Sequence, residues 1–363
     1  MINNQDKITL RQFIFFIIQC QIGFGILILP HRLHVISKGG GWISTLIAGL
    51  LIQMIILLMW LVMKRFPEAT IYEILTALFG DTFGKILSFS YTLFFIFVGM
   101  AVMLNSCILI RKWILPTTPY IAILTLFLFS GCYLAYASFK GIVRFNVLVS
   151  ILIVPMIILV ANGFFHADFS YISPSTEAGW KNIFWGSVMS RLDMGGFEMF
   201  LLVYPWVKGS STDRLMAISI TNAFVTIFYT FVVWMCFVSF SPKQIELIPE
   251  PVVYLLRSLP MGIVDRTDLI FIPLWMTTIV AFIGNYLYAS SVGISYIFNL
   301  NNQKRILPIL GILLFIITCF VDTPKEVSFF TKLPEIGSFF FTLILPTFFL
   351  FYSILKSKKG LHS

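Results

Sequence analysis

Charged residues are scarce in this chain: Asp, Glu, Lys and Arg together make up 11% of its 363 residues. Soluble domains carry about 25%. No polar stretch reaches about 50 residues, the lower limit for a domain, so the sequence excludes a solvated domain of any size. Hydrophobic residues make up 58% of the chain and the mean hydropathy is +0.93. These values indicate a polytopic membrane protein embedded in the lipid bilayer.

Patterns for catalysis and metal binding are also missing. The five cysteines are isolated, with neither CxxC spacing nor a Cys/His cluster, so disulfides and metal sites are not expected. His31 and His34 lie one helical turn apart but have no third ligand nearby. A Gly-rich phosphate loop, a nucleophile elbow and HExxH are absent, so we expect neither an enzyme nor a cofactor. The net charge of +9 comes from basic residues at the ends of apolar runs, which membrane topology requires, and does not indicate nucleic-acid binding.

Ten apolar segments are long enough to be transmembrane spans, which need about 20 residues. The chain is therefore predicted to be one all-α membrane domain, 1–363, with a short surface helix at 252–259 in the loop 241–268. Residues 1–8 are short and polar without a cleavable signal pattern, so we expect the first span to be retained. The predicted spans are residues 9–36, 42–63, 83–110, 120–137, 145–165, 181–207, 215–240, 269–300, 306–321 and 336–355.

The distribution of basic residues predicts the orientation. With ten spans both termini lie on one side, and placing them in the cytoplasm puts most Lys and Arg residues inside. That excess favours a multi-pass membrane protein with both termini cytoplasmic.

The first span is interrupted by Gly23 and Gly25, and Pro30 follows. Glycine and proline disfavour helix, and lipid offers no partners to unwound backbone, so the break predicts a lined cavity near the middle of the membrane. Unwinding there would expose N–H groups and a helix N-terminus, which favour an anion such as a carboxylate. The alternative is a kink or a small-residue packing face.

The sixth span has a second interruption, at Gly195 and Gly196, beside three ionisable residues: Arg191, Asp193 and Glu198. Each charge at bilayer depth costs about 2.5–3.5 kcal/mol on the insertion scale, so these side chains need internal partners or water. Glu198 could be a gating or proton-linked acid, with freed carbonyls near Gly195 meeting a ligand ammonium. The alternative is an ion pair of Arg191 with Asp193 or Glu198 that only braces the bundle.

The two interruptions occupy corresponding places in the two halves of the chain. Repeats of five spans must be inverted relative to each other, which predicts a 5+5 inverted-repeat fold of the LeuT or APC type, with repeats at about 9–165 and 181–356 and a site between broken helices 1 and 6. Isolated small or polar residues of other spans are further pocket candidates, although such residues usually join helices. They are Gly99, Asn105, Asn285, Tyr288, Ser290 and Ser291.

Short motifs resemble known families. Residues 23–30, Gly-Phe-Gly-Ile-Leu-Ile-Leu-Pro, resemble the first-helix motif of amino-acid/polyamine/organocation permeases, and Gly196-Phe197-Glu198 resembles their sixth-helix Gly-x-Glu motif. Residues 5–358 more closely resemble the spore germination permease family, the B subunits of GerA-type germinant receptors. That resemblance includes residues 8–13, Ile-Thr-Leu-Arg-Gln-Phe, and residues 65–67, Arg-Phe-Pro.

The resemblance implies a subunit that recognises a nutrient germinant, typically an amino acid, in the inner membrane of a bacterial spore. It implies partnership with an A-type subunit and a lipoprotein C-type subunit. It places Gly23, Phe24 and Gly25 at the ligand carboxylate, and 195–197, Gly-Gly-Phe, at the ammonium and side chain. Glu198 then corresponds to the gating or proton-linked acid. No lysine or arginine lies deep in span five, where some proton-coupled permeases carry a charge, which argues against proton-driven transport. The alternative function is an amino-acid secondary transporter.

Overall fold

The computed structural model describes residues 7–172, 174–258, 265–300, 302–321 and 323–359. Residues 1–6 of the predicted retained N-terminus and residues 259–264 of the predicted loop lie outside the described residues. The helices are α1 (Leu10–Gln21), α2 (Gly25–Ser37), α3 (Gly41–Met63), α4 (Ile71–Phe79), α5 (Asp81–Trp113), α6 (Tyr120–Ala135), α7 (Phe139–Ser150), α8 (Ile153–Ala161), α9 (Gly179–Asp193), α10 (Met199–Val203), α11 (Ser211–Ser239), α12 (Pro242–Leu247), α13 (Pro251–Ser258), α14 (Asp268–Ile297), α15 (Ile306–Cys319), α16 (Pro324–Phe339) and α17 (Leu345–Lys359).

Several of these helices are long and apolar enough to cross a bilayer. Within the described residues, six segments meet that criterion by length and composition. They are Gly25–Met63, Asp81–Trp113, Phe139–His166, Ser211–Ser239, Asp268–Ile297 and Lys325–Tyr352. The chain is therefore an all-helical multi-pass membrane protein, as predicted. The total of ten spans stays a prediction, because several other predicted spans form shorter or interrupted helices.

Both predicted interruptions are confirmed. Helix α1 ends at Gln21 and α2 begins at Gly25, so the intervening residues are unwound. Helix α9 ends at Asp193 and α10 begins at Met199. Helix α1 starts where a capping box predicts: the Thr9 hydroxyl accepts from Gln12 N at 3.3 Å, and Thr9 N donates to Gln12 Oε1 at 3.0 Å.

The predicted start of the last span is wrong. Helix α16 begins at Pro324 rather than at 336, so Glu335 lies within the helix instead of in a loop. The helix starts early because Thr323 and Glu326 form a capping box, with Thr323 N donating to Glu326 Oε2 at 3.1 Å. A π-helical turn, Phe340–Ile344, joins α16 to α17. The consequence is that Glu335 lies within a helix of the bundle, where it reaches Arg32 of α2.

The interrupted helices and α14 form the centre of the fold. The residues of α10 are buried, and the Phe200 ring packs 6.1 Å from Phe13 of α1 and 5.2 Å from Tyr204, between centroids. At this end of the bundle Ile8 pairs with Val207 in an isolated β-bridge. Ile8 N donates to Trp206 O at 2.8 Å and Lys208 N donates to Ile8 O at 2.9 Å. We call this end of the bundle the bridge face. Here the segment before α1 is hydrogen-bonded to the segment after α10.

Candidate functional site

A cavity of about 140 Å³ lies between the two interrupted helices. Unwound backbone, α5, α14 and α16 all contribute to its wall, so it is the lined cavity that two broken membrane helices require. The lining residues are Gln21, Gly23, Phe24, Gly25, Ile28, Arg32, Phe94, Val98, Ala101, Val102, Asn105, Leu192, Asp193, Gly195, Glu198, Phe282, Thr331, Pro334, Glu335 and Ser338.

Side chains from other helices satisfy carbonyl groups that the breaks release. The Tyr229 hydroxyl donates to Gln21 O at 2.9 Å, with Asp193 O as a second acceptor at 3.3 Å. Gln21 Nε2 donates to Met194 O at 3.1 Å, which joins the two breaks directly, and Trp275 Nε1 donates to Gly23 O at 3.4 Å. Sequence reasoning missed Tyr229 and Trp275, whose only signal was a polar atom on an aromatic ring inside an apolar span.

Gly25 lies where α2 comes closest to the end of α9. A Cβ built on Gly25 would lie 2.8 Å from both Cβ and the carbonyl oxygen of Asp193, whereas one on Gly23 would meet only the Phe282 ring, at 3.2 Å. One reason for a small residue here is the ligand carboxylate that the resemblance places at Gly25. The structure adds a second reason, because the two broken helices touch at this residue.

The Gly25→Ala variant is expected to destabilise the protein by about 1–3 kcal/mol, the usual cost of overpacking, because the backbone at Asp193 cannot move aside cheaply. Gly23→Ala is the matched control and should cost less, since a ring edge can shift. Thermal unfolding of the purified variants in detergent measures both. Equal unfolding temperatures for the two variants would contradict a close contact between Gly25 and the backbone of Asp193.

Glu198 is buried at the cavity, with 2% of its surface exposed. Its Oε2 accepts from Gly196 N at 2.8 Å and its Oε1 accepts from the Tyr286 hydroxyl at 2.7 Å. The carboxyl group therefore bridges the second break and α14. An acid held by two donors beside a cavity can accept a further donor from a ligand, or change its partners when the break rearranges.

An ion cluster spans the cavity beyond the breaks, on the side away from the bridge face. Arg32 Nη1 lies 2.9 Å from Asp193 Oδ1, and Arg32 Nη2 lies 3.4 Å from Glu335 Oε1. One guanidinium thus joins α2, α9 and α16. Among the described residues, Arg191 forms no direct salt bridge with Asp193 or Glu198, the alternative that the sequence suggested. Instead, Arg191 Nη1 donates to Thr342 Oγ1 at 3.0 Å and its guanidinium lies 4.2 Å from the Phe339 ring centre. Arg32 lies near the end of the predicted span 9–36, and no motif in the sequence indicated that it reaches the cavity.

The remaining wall of the cavity is mainly apolar. Val98 and Phe94 of α5 and Phe282 of α14 contribute to this part of the wall. One polar contact, from Asn105 Nδ2 to Thr331 Oγ1 at 2.9 Å, connects α5 with α16. The site therefore combines carboxylates and a helix N-terminus with a hydrophobic wall.

Several predicted site residues do not line this cavity. Asn285 exchanges amide hydrogen bonds with Asn146, each at 2.9 Å, and Ser291 Oγ donates to Tyr288 O at 2.8 Å. Tyr288 stacks on Phe139 with centroids 5.6 Å apart. These contacts match the alternative interpretation, in which polar residues join membrane helices.

The other predicted residues outside the lining are also held in helix contacts. Gly99 packs against Tyr286. Gly196 and Phe197 are buried within the second break, where Gly196 lies against the backbone of Cys20 of α1. Ligand contact by Gly99, Gly196 and Phe197 stays a prediction without support from this geometry. Gly23, Phe24, Gly25, Asp193, Gly195 and Glu198 line the cavity, and their predicted roles in ligand binding and gating stay predictions.

Two discontinuous helices that face each other across a central cavity define a membrane protein of the LeuT transporter fold. A Na⁺-coupled sialic acid symporter, solved in a substrate-bound outward-open state, matches with a TM-score of 0.71 over 95% of this chain and 80% of that chain. The identity is 13%, so this likeness concerns the fold alone.

The family follows from sequence. A family model described as spore germination protein matches residues 7–327, and the chain belongs to that family of spore permeases. It is 24% identical to spore germination protein GerQB of Bacillus cereus, over 93% of each chain. It is 23% identical to spore germination protein YndE of Bacillus subtilis, over 90% of this chain and 91% of the relative. Spore germination protein A2 of Bacillus subtilis is 21% identical over 97% of both chains. These proteins are germination proteins of permease type and not enzymes.

Proposed function

We propose that this chain is the nutrient-sensing membrane subunit of a spore germination receptor and that it binds a small germinant, an amino acid, in the central cavity. The observation that carries the proposal is the cavity itself, which brings the N-terminal end of α2, the Glu198 carboxyl and an apolar wall within reach of one small molecule. A zwitterion with a hydrophobic side chain has a complementary group for each of these three features.

Each group of an amino acid has a counterpart in the cavity wall. The carboxylate of the amino acid would lie at Gly25, where the first N–H groups of α2 lack intrahelical partners and the helix dipole is positive. The ammonium would meet Glu198 and the backbone near Gly195. The side chain would pack on Val98 and Phe282. Pockets for drug-sized ligands measure about 300–1,000 Å³, so a cavity of about 140 Å³ suits a molecule no larger than an amino acid.

Signalling would be a shift between two arrangements of the helix bundle. A germinant that binds one arrangement more tightly shifts the population towards it. In the proposed setting, the spore inner membrane with both termini cytoplasmic, the bridge face points inwards and the Arg32 cluster points outwards. The shift would be transmitted to an A-type subunit and a lipoprotein C-type subunit.

A deletion strain of the host spore-former, complemented with variants, tests this proposal. Wild-type protein should restore germination to one class of nutrient. Val98→Phe should abolish that response, because the ring fills a small cavity. The matched control is Val154→Phe, since Val154 lies on α8 with 57% of its surface exposed and faces away from the cavity. Immunoblotting of spore membranes would show that both variants are present.

Normal germination of Val98→Phe spores at wild-type nutrient concentrations would contradict the proposal. A secondary transporter of amino acids is the second candidate function, and the transporter fold of the neighbour favours it. Uptake of radiolabelled amino acids by proteoliposomes separates the two. The chain is a transporter if wild-type proteoliposomes take up an amino acid, Val98→Phe abolishes that uptake, and the deletion strain germinates normally to every nutrient.

A further inference from the structure

A recess lined by basic residues lies on the bridge face, away from the central cavity. It measures about 420 Å³ and is lined by Lys7, Lys208, Gly209 and Arg214. We call it the basic recess. The three cations come from separate parts of the chain: the segment before α1, the segment after α10 and the first turns of α11.

The position of the two lysines is set by the β-bridge. Lys7 and Lys208 directly flank the paired residues Ile8 and Val207. Because Lys208 N donates to Ile8 O at 2.9 Å, the bridge brings two positive charges to one recess. Like charges repel each other, so the contact that closes the two interrupted helices at this face is weakened by its own flanking residues.

Arg214 adds a third charge and is only partly satisfied. Its residue is 7% exposed, its guanidinium lies 4.5 Å from the Tyr204 ring centre, and Nη1 donates to Pro67 O at a long 3.4 Å. Within the described residues its Nε is buried without a hydrogen-bond partner. A buried guanidinium with unused donors is costly, so a ligand that accepts from it is favoured.

The nearby carboxylates do not neutralise the recess. Glu68 Oε1 lies 3.6 Å from Lys7 Nζ, but the Glu68 side chain is 70% exposed. Asp213 is engaged in the capping box of α11, where its Oδ2 accepts from Ser210 N at 2.8 Å and from Ser210 Oγ at 2.7 Å. Among the described residues, three cations against these two acids leave the recess with net positive charge.

We propose that the basic recess binds a phosphate group, which joins Lys7, Lys208 and Arg214 and thereby stabilises the bridge between the entry to α1 and the exit from α10. A phosphate has several acceptor oxygens, so it can pair with a guanidinium and with two ammonium groups at once. The phosphate could be the headgroup of an anionic lipid, since helix ends lie at the membrane surface and basic residues there attract such lipids, or a free phosphate ion.

Hydrogen exchange of the purified chain in nanodiscs tests the proposal. The three arms are phosphatidylcholine alone, phosphatidylcholine with phosphatidylglycerol, and phosphatidylcholine with inorganic phosphate. Phosphatidylcholine has a zwitterionic headgroup and is the reference arm; the two phosphate arms are those that add an anionic phosphate. Exchange at the amides of Ile8 and Lys208, which form the bridge, should slow in one or both phosphate arms relative to the reference. Slowing with phosphatidylglycerol alone assigns a lipid headgroup, and slowing with inorganic phosphate assigns the free ion.

The variant Lys7→Gln/Lys208→Gln should weaken binding of the phosphate source by roughly thirtyfold, about 2 kcal/mol, and remove the slowing. The matched control is Arg65→Gln/Arg144→Gln, which removes the same charge from two exposed residues that do not line the recess. No slowing of the wild-type amides in either phosphate arm would overturn the proposal. Equal slowing in the lysine variant would also overturn it, because the effect would then come from general surface charge.

Discussion

Replacement of Gly196 by alanine is expected to prevent the chain from forming a stable bundle. Gly196 has φ +125°, a conformation that side chains with a Cβ rarely adopt. A Cβ there would lie 2.0 Å from the carbonyl oxygen of Cys20 and 2.8 Å from Gln21 N, which are backbone atoms of α1. Backbone strain alone costs about 1–3 kcal/mol, and overpacking adds a similar amount. Together they consume much of a marginal stability of about 5–15 kcal/mol.

Gly195→Ala is the matched control one residue earlier. A Cβ on Gly195 would meet a single atom, Leu192 O, at 3.2 Å, and Gly195 does not have positive φ. Thermal unfolding in detergent and the yield of monodisperse protein should therefore fall sharply for Gly196→Ala and only slightly for Gly195→Ala. If the two variants unfold at the same temperature, the close contact between the second break and α1 does not exist in the membrane.

The two breaks could be predicted from sequence because glycine and proline act locally. Runs of apolar residues long enough to span a bilayer made the interruptions visible without knowledge of the fold. The exact reason for each glycine could not be predicted. Gly196 is required by the backbone of Cys20 and Gly25 by the backbone of Asp193, and neither contact is encoded near its own position in the chain.

The ion cluster was missed for a different physical reason. Hydropathy assigns charged residues to the water side of a span, so Glu335 fell just outside the predicted span 336–355 and Arg32 fell at the end of the predicted span 9–36. In the bundle they face the central cavity and pair with each other across α2 and α16. The capping box at Thr323 and Glu326 was the available signal that the last helix starts earlier.

The rotation of each helix about its own axis could also not be predicted from the sequence. On α14, Trp275, Phe282 and Tyr286 turn towards the breaks, where Phe282 lines the cavity and Tyr286 holds Glu198. Asn285 directly precedes Tyr286 but points to another side of α14, where it donates a hydrogen bond to Asn146 of α7. Successive helical residues point about 100° apart, so a shift of one position decides whether a polar side chain faces a ligand or a neighbouring helix.

Removal of the Arg32 charge is expected to open the far side of the cavity and to raise the nutrient concentration that is needed for germination. Asp193 has 9% of its side chain exposed, and within the described residues its Oδ2 is buried without a hydrogen-bond partner, so Arg32 is the cation that compensates it. In Arg32→Met, Asp193 and Glu335 would face each other as two carboxylates without a cation. Loss of one partner of a fully buried pair costs about 3–5 kcal/mol. Since Arg32 is 29% exposed, a loss of roughly 2 kcal/mol is expected after allowance for solvent.

Two further variants separate a lost ion pair from a lost side chain. Arg32→Met combined with Asp193→Asn and Glu335→Gln removes the repulsion and should recover most of the unfolding temperature, because neutral amides can share hydrogen bonds. Lys85→Met is the surface control: it breaks an exposed i,i+4 pair with Asp81, at 3.0 Å, which is worth about 0.3–0.5 kcal/mol. If Arg32→Met and Lys85→Met unfold at the same temperature and show the same nutrient dose response, the cluster neither stabilises α2 against α9 and α16 nor controls access to the cavity. Recovery of stability in the triple variant without recovery of the nutrient response would instead show that the charges themselves meet the ligand.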